Sequence, residues 1–173
     1  MASKLHKYYA ILVAFTDKRL REVSMEVDFN DEDDVVAIGN VLRELFYNDK
    51  KAQGYALPQI GVNKRAIIIR RKGKTYLMYN PVIVHKMGSK ESIEGCESLP
   101  KVNGCREYYT IKRPIFTKVV WYESDGSKKS RWFGWKFSRI IAHECDHLDG
   151  KLICDGGTKW WGNSYVQKTA NKS

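Results

Sequence analysis

No stretch of this chain is apolar for the ~18 residues that a membrane span needs. No segment repeats another, and none is built from only a few residue types. Proline and cysteine are scarce, with four of each in 173 residues. Cys96, Cys105, Cys145 and Cys154 are too few for a small secreted scaffold held by disulfides, and the chain is long enough to fold without staples. A metal-binding or catalytic role for one of them is therefore open. Acidic residues are outnumbered: twenty Asp and Glu against thirty Lys and Arg leave a net charge of +10. That excess predicts attraction to polyanions, the ribosome or its RNA being one candidate partner, but a basic solvated surface accounts for it equally well. No cleavable leader is expected in this sequence. Lys4 and Lys7 precede the apolar run Tyr8 to Phe15, yet Thr16-Asp17-Lys18-Arg19 follows in place of small residues. The expectation is a soluble, cytoplasmic, monomeric protein with no membrane partner. Residues 1–155 would form one domain and residues 156–173 a short basic tail.

What is present argues for a packed globule, since 43% of residues are hydrophobic and 12% aromatic. Asn30 or Asp31, followed by acidic residues, is a helix start, because carboxylates favour the positive end of the helix dipole. Val35, Ile38, Val41, Leu42, Leu45 and Phe46 then recur at helical spacing to about Tyr47. Gly54 to Gly61 reads as a loop. Ala66 to Ile69 and Thr75 to Tyr79 read as strands, the second ending at Asn80-Pro81. Thr117 to Tyr122, the turn Ser124 to Ser127 and Lys129 to Phe133 form a predicted hairpin. A final helix covers about Phe137 to Leu148 and stops near Gly150. The pattern is α+β, with mixed or antiparallel sheets around a central helix, and not an alternating parallel fold.

That helix contains His143-Glu144-Cys145-Asp146-His147. Residues four apart share a helix face, so both imidazoles can reach one metal ion, while Glu144 is turned towards a water on that ion. Two histidines on a helix without a metal remain the bland alternative. Common zinc proteases take their third ligand downstream as Glu or His, but no His or Glu follows His147. Asp149 and Asp155 follow the helix too closely to fold back easily. Upstream, Glu94-Gly95-Cys96-Glu97-Ser98-Leu99-Pro100 describes a bend that could present a thiolate. Cys145 falls on the far side of the helix and suits core packing, and Cys105 and Cys154 are expected to be unligated. One Cys, two His and a water make an open catalytic site, not a closed structural one.

Three segments, in order, resemble the signatures of the peptide deformylases. Gly54-Tyr55-Ala56-Leu57-Pro58-Gln59 is similar to the glycine-rich segment that ends in the catalytic glutamine. Glu94-Gly95-Cys96-Glu97-Ser98 resembles the cysteine segment, and His143 to Gly150 the metal helix with its trailing Leu-x-Gly. Ile111 to Pro114, Tyr122 to Gly126 and Asp17 to Arg21 also look familial, so the likeness covers about Tyr8 to Asp155. It implies one divalent metal on Cys96, His143 and His147, natively Fe(II), with Zn, Ni or Co as substitutes. It also implies removal of the formyl group from N-terminal formyl-methionine of nascent polypeptides. Glu144 would be the general base, and the Gln59 amide and the Glu97 backbone N–H would bind the oxyanion. Gly54, Gly95 and Ile140 would border the substrate, and a Glu94–Arg113 pair would brace the cysteine loop.

Several positions depart from the family pattern. Ala52 stands where the first glycine of a Gly-x-Gly pair is usual, Leu57 in place of an alanine, Glu97 in place of the common leucine, and Ala142 in place of a glutamine. Trp135, beside Gly134, replaces another glycine. The long C-terminal helix of many bacterial members is not evident, which suits a viral or phage-borne form acting in a host cytoplasm. The departures around Gly54 and Trp135 keep one rival open, a metal amidase of the same fold acting on another acyl group. The others are a zinc endopeptidase, against which the missing downstream ligand speaks, and a basic ribosome-docking module with a structural metal.

Overall fold

A computed structural model describes residues 7–102 and 105–160, with backbone alone for Val102, Cys105 and Arg106. Helix α1, Glu32–Asn48, starts where the acidic cluster predicts: the Asp31 carboxylate caps it by accepting from the Asp34 N–H at 2.9 Å. Its apolar stripe, Val35, Ile38, Val41, Leu42, Leu45 and Phe46, is buried. Five antiparallel strands form the main sheet in the order β1 (Gly54–Ala56), β2 (Ala66–Arg71), β3 (Lys74–Met87), β8 (Phe116–Tyr122), β9 (Lys128–Phe133). A second sheet has the order β10 (Thr158–Lys159), β7 (Tyr108–Arg113), β4 (Lys90–Gly95), and a short ladder joins β5 (Lys101–Val102) to β6 (Cys105–Arg106).

Helix α2, Trp135–Leu148, lies between the sheets. Ile140, Ile141, Cys145 and Leu148 pack into a buried cluster with Ile67, Ile69, Met78, Val119, Trp121 and Phe133 of the main sheet. Ile141 and Leu148 are wholly buried, and truncating either to alanine costs about 2–5 kcal/mol. The rigid attachment of α2 fixes whatever its other face carries. At its end Gly150 adopts φ 69°, and a Cβ there would meet the Arg21 carbonyl oxygen at 2.4 Å. Only glycine suits that stop.

Two local expectations fail for identifiable reasons. Residues 54–61 are not a plain loop: β1 pairs with β2, and Leu57–Ile60 form a 3-10 turn closed by Gly61 at φ 74°. The second predicted strand does not end at Asn80-Pro81 either. The ladder shifts register between Tyr79 and Val82, so proline's missing N–H falls in a bulge. Asn80 takes φ 48° and its side chain bonds both Val27 N and Val27 O, at 2.8 and 3.0 Å. Strands β4, β7 and β10 carry no strong sequence period, and the sequence does not predict them. Thr158–Lys159 pair with β7 inside the segment read as a tail, and residues 161–173 lie outside the described part. Among the described residues no helix is long and apolar enough to cross a membrane.

Candidate metal centre

The two histidines of α2 and the cysteine that follows β4 come together. Ligand atoms of Cys96, His143 and His147 all lie within 4.8 Å of one another, and Cys96 Sγ is 3.3 Å from His147 Nε2. Cys96 and His147 are buried, and 12% of the His143 side chain is exposed. His143 Nδ1 lies 3.0 Å from the Glu94 carboxylate, which turns Nε2 towards the centre. Glu94 is itself clamped by Arg113, whose Nη2 donates at 2.9 Å, and Arg113 also reaches Asp146 at 2.5 Å. One ionic chain, buried at Glu94 and Arg113 and partly exposed at Asp146, thus ties β4, β7 and α2 together around the cysteine.

Gln59 hangs over the same point. Its Oε1 accepts from Ala56 N at 2.9 Å, so Nε2 is aimed at Ser98 Oγ (3.0 Å) and Cys96 Sγ (4.0 Å). Glu144 is buried beside the ligands, and its Oε2 has no hydrogen-bond partner among the described residues. Gly54 makes that position possible, since a Cβ there would stand 2.3 Å from Glu144 Oε1. A cavity of about 310 Å³ opens onto the group, bordered among others by Gly54, Ile93, Gly95, Glu97, Arg139 and Ile140.

The sequence profile of the polypeptide deformylase family matches residues 9–160. The chain belongs to that family. Among curated relatives, a peptide deformylase of Clostridium acetobutylicum is 31% identical over 144 residues, 83% of this chain and 92% of that one. One of Acetivibrio thermocellus is 33% identical over 139 residues, covering 80% and 78%. The crystal structure of the Thermotoga maritima peptide deformylase superposes with TM-score 0.76 at 27% identity, over 87% of this chain and 98% of that one. That of a probable peptide deformylase from Synechococcus phage S-SSM7 gives 0.74 at 30%, over 84% and 98%.

The electrostatics of this deformylase-family site suit a cation. Burial alone would raise the Cys96 thiol, but His147 and His143 more than offset it and hold the thiol well below its ordinary range. Burial would likewise lower His143, yet Cys96 and Glu94 raise it well above the usual imidazole value. A buried thiolate and carboxylate therefore demand positive charge at this point. A thiolate with two imidazoles, held so close, fits a divalent transition metal. Burial pushes Glu144 up to about 7, against the pull of His143 and His147.

The cavity is lined by Gly54, Gln59, Gly95, Cys96, Glu97, Ile140, His143 and Glu144, and His147 lies beside Cys96. Cys145 packs in the α2 core, where burial raises its thiol to about 12. Asp149 and Asp155 pair with Arg65 and Arg21, away from the ligands. The Cys105 side chain is outside the described residues, and Cys154 is a free thiol near Asp155. Three participants were not foreseen. Ser98 holds the Gln59 amide, Asp146 completes the Arg113 clamp from within the motif's unassigned positions, and Arg139 borders the cavity while donating to Gln53 Oε1 at 2.9 Å.

If Cys96 is a ligand, metal shields its sulfur. Iodoacetamide followed by peptide mass spectrometry is expected to leave Cys96 unlabelled in the loaded protein and to label it after chelation. Equal labelling in both states excludes Cys96 as the third ligand.

Proposed function

We propose that this chain is a metal-dependent peptide deformylase, hydrolysing formyl-methionyl peptides to formate and methionyl peptides. The observation that carries the role assignment is the close Cys96–His143–His147 group with the buried Glu144 carboxylate beside it, its Oε2 without a hydrogen-bond partner among the described residues. Those three residues would hold the cation. When bound, a divalent cation supplies Lewis acidity, bringing the pKa of water towards ~7 and polarising a carbonyl oxygen.

The chain's own residues supply the rest. Glu144 takes a proton from the attacking water, whose oxygen bonds to the formyl carbon, and general base catalysis of this kind is worth ~10²–10⁴-fold. Negative charge then grows on the formyl oxygen. Gln59 Nε2, already aimed by Ala56 and Ser98, and the Glu97 backbone N–H donate to it; one such donor is worth ~2.7–4 kcal/mol. As the carbon–nitrogen bond breaks, Glu144 returns the proton to the leaving amine. Strands β1 and β4 each end a sheet, and both border the cavity through Gly54 and Gly95. Their open edges can pair with an extended backbone, which favours a linear peptide as substrate. Ile93 and Ile140 offer the first side chain an apolar surface.

Ferrous iron is the metal we assign, on family likeness, since the donor set also accepts Zn, Co and Ni. Residues 1–155 act as one catalytic domain, monomeric and cytoplasmic in this proposal. The experiment that tests the substrate assignment pairs formyl-Met-Ala-Ser with its acetyl analogue. A preference for formyl of at least ~10²-fold is expected, and faster release of acetate overturns it.

Glu97 borders the cavity. Its carboxylate is expected to favour Lys or Arg just after formyl-methionine over Asp or Glu, by a few-fold only, because an exposed pair is worth at most ~1 kcal/mol and salt screens it. Glu97→Leu keeps the N–H and should flatten that preference with turnover on formyl-Met-Ala-Ser nearly intact. A large loss of turnover would instead mean that the carboxylate holds the cysteine loop or takes part in catalysis.

A further inference from the structure

The main sheet has two faces, and only one is fully used. Thr117, Val119 and Trp121 of β8 point towards α2, so Phe116, Lys118 and Val120 point the other way. Register carries this face onto the neighbouring strands. Lys118 stands between His85 of β3 and Trp132 of β9, and Val120 between Val82 and Ser130. At its Tyr79–Tyr122 end the face is covered by Phe29 and the core beneath α1. Elsewhere it is open: Phe116 is 41% exposed and Trp132 48%.

Its chemistry is specific. Of the basic residues on β3, β8 and β9, register places Lys118 and Lys128 on this face and Lys74, Lys86, Lys129 and Arg131 on the α2 side, and none of the three strands carries an Asp or Glu. His85 and Trp132 lean together over the strand of Lys118, their rings 19° from parallel with centroids 6.2 Å apart. The Phe116 ring lies against Gly134, one position past the end of β9 and two past Trp132. Flat aromatic surfaces on adjacent strands, with Lys118 between them, Lys128 further along the same face and no carboxylate on the strands themselves, suit stacked bases and their phosphates. A second copy of the chain is disfavoured, because it would set Lys118 and Lys128 against the same two lysines with no strand carboxylate to pair them.

We propose that the outer face of β3, β8 and β9 binds single-stranded RNA, with Trp132 and Phe116 as the stacking platform and Lys118 and Lys128 as phosphate contacts. The face looks away from α2, so an RNA held there leaves the catalytic cavity open to a peptide. The inference stands apart from the deformylase assignment, since neither aromatic ring borders that cavity.

The test is fluorescence anisotropy of the full chain with a fluorescein-labelled oligouridylate of about 12 nucleotides, within the usual site sizes of such platforms. Binding is expected to weaken at least ~10-fold when salt rises from about 50 to about 200 mM, and at least ~10-fold in the double variant Trp132→Ala, Phe116→Ala. Trp132→Tyr should keep most of the affinity, and Lys118→Glu with Lys128→Glu should lose it even if the double alanine variant folds poorly. Turnover on formyl-Met-Ala-Ser should stay at the parent level in the lysine variants. Absence of binding overturns the proposal. So does salt-sensitive binding indifferent to both the aromatic and the lysine changes, or equal affinity for duplex RNA, or a dimer that buries Trp132.

Discussion

Glu144→Gln is expected to lower turnover at least ~10²-fold while metal content stays near one per chain. Glutamine keeps the shape of the side chain but cannot take the proton of the attacking water. Glu144 sits beside the ligands, not among the three donors that converge, so the centre should still load. Burial has raised this carboxyl to about 7, which has two consequences. Activity of the parent should rise with pH along an acid limb at or below about 7, since a bound cation pulls the carboxyl the same way as the histidines do. The metal-free fold binds the proton more tightly than the unfolded chain does. Through this group it therefore loses stability as pH rises from 4.5 to about 7, by an amount on the order of 3 kcal/mol. Glutamine removes that loss. The metal-free variant should thus melt higher than the metal-free parent above pH ~7 and differ little near pH ~4. If the variant lost metal in proportion to activity, Glu144 would be a ligand or its support, and the base assignment would fail.

Gly54→Ala should be nearly as damaging by a different route. The added methyl would stand 2.3 Å from Glu144 Oε1 and 2.8 Å from its Cδ and Cγ. A surface carboxylate would simply swing aside, but Glu144 is only 4% exposed and α2 is anchored in the sheet core. The carboxylate must leave its place over the centre, and a misplacement of about 1 Å can cost ~10² in rate. Metal content and melting temperature separate the outcomes. We expect near-full metal, a modest loss of stability and turnover down at least ~10²-fold. Turnover within about three-fold of the parent would show that Glu144 works from another position, since so small a change corresponds to less than ~1 kcal/mol.

The centre was legible in the sequence because its constraints are local. Two histidines four apart declare a helix face, and a Gly-Cys bend with no downstream His or Glu leaves few third ligands. The long amphipathic α1 and the β8–β9 hairpin were legible for the same reason: one period or one turn decides each. What stayed hidden depends on contacts between distant segments. Whether Asn80-Pro81 ends a strand or bulges it is decided by Val27, fifty-three residues upstream, which the Asn80 side chain grips. Strand β4 reads as polar sequence because its Glu94 is buried against Arg113 and His143, so a core position carries a charge. Ser98 and Asp146 matter through the partners they hold, Gln59 and Arg113, and nothing in their own neighbourhoods announces that. The space beside Gly54 is likewise a fact about Glu144, ninety residues away.

We propose that Cys96, His143 and His147 hold one divalent ion on which deformylation depends. The direct measurement is anaerobic titration of the metal-free chain with ferrous iron, following formate and free methionyl amine from formyl-Met-Ala-Ser. Activity should climb linearly to a plateau at one iron per chain, with formate and amine released in equal amounts. A chain that binds one iron per molecule yet releases no formate, or one whose formate release is indifferent to metal, would contradict it.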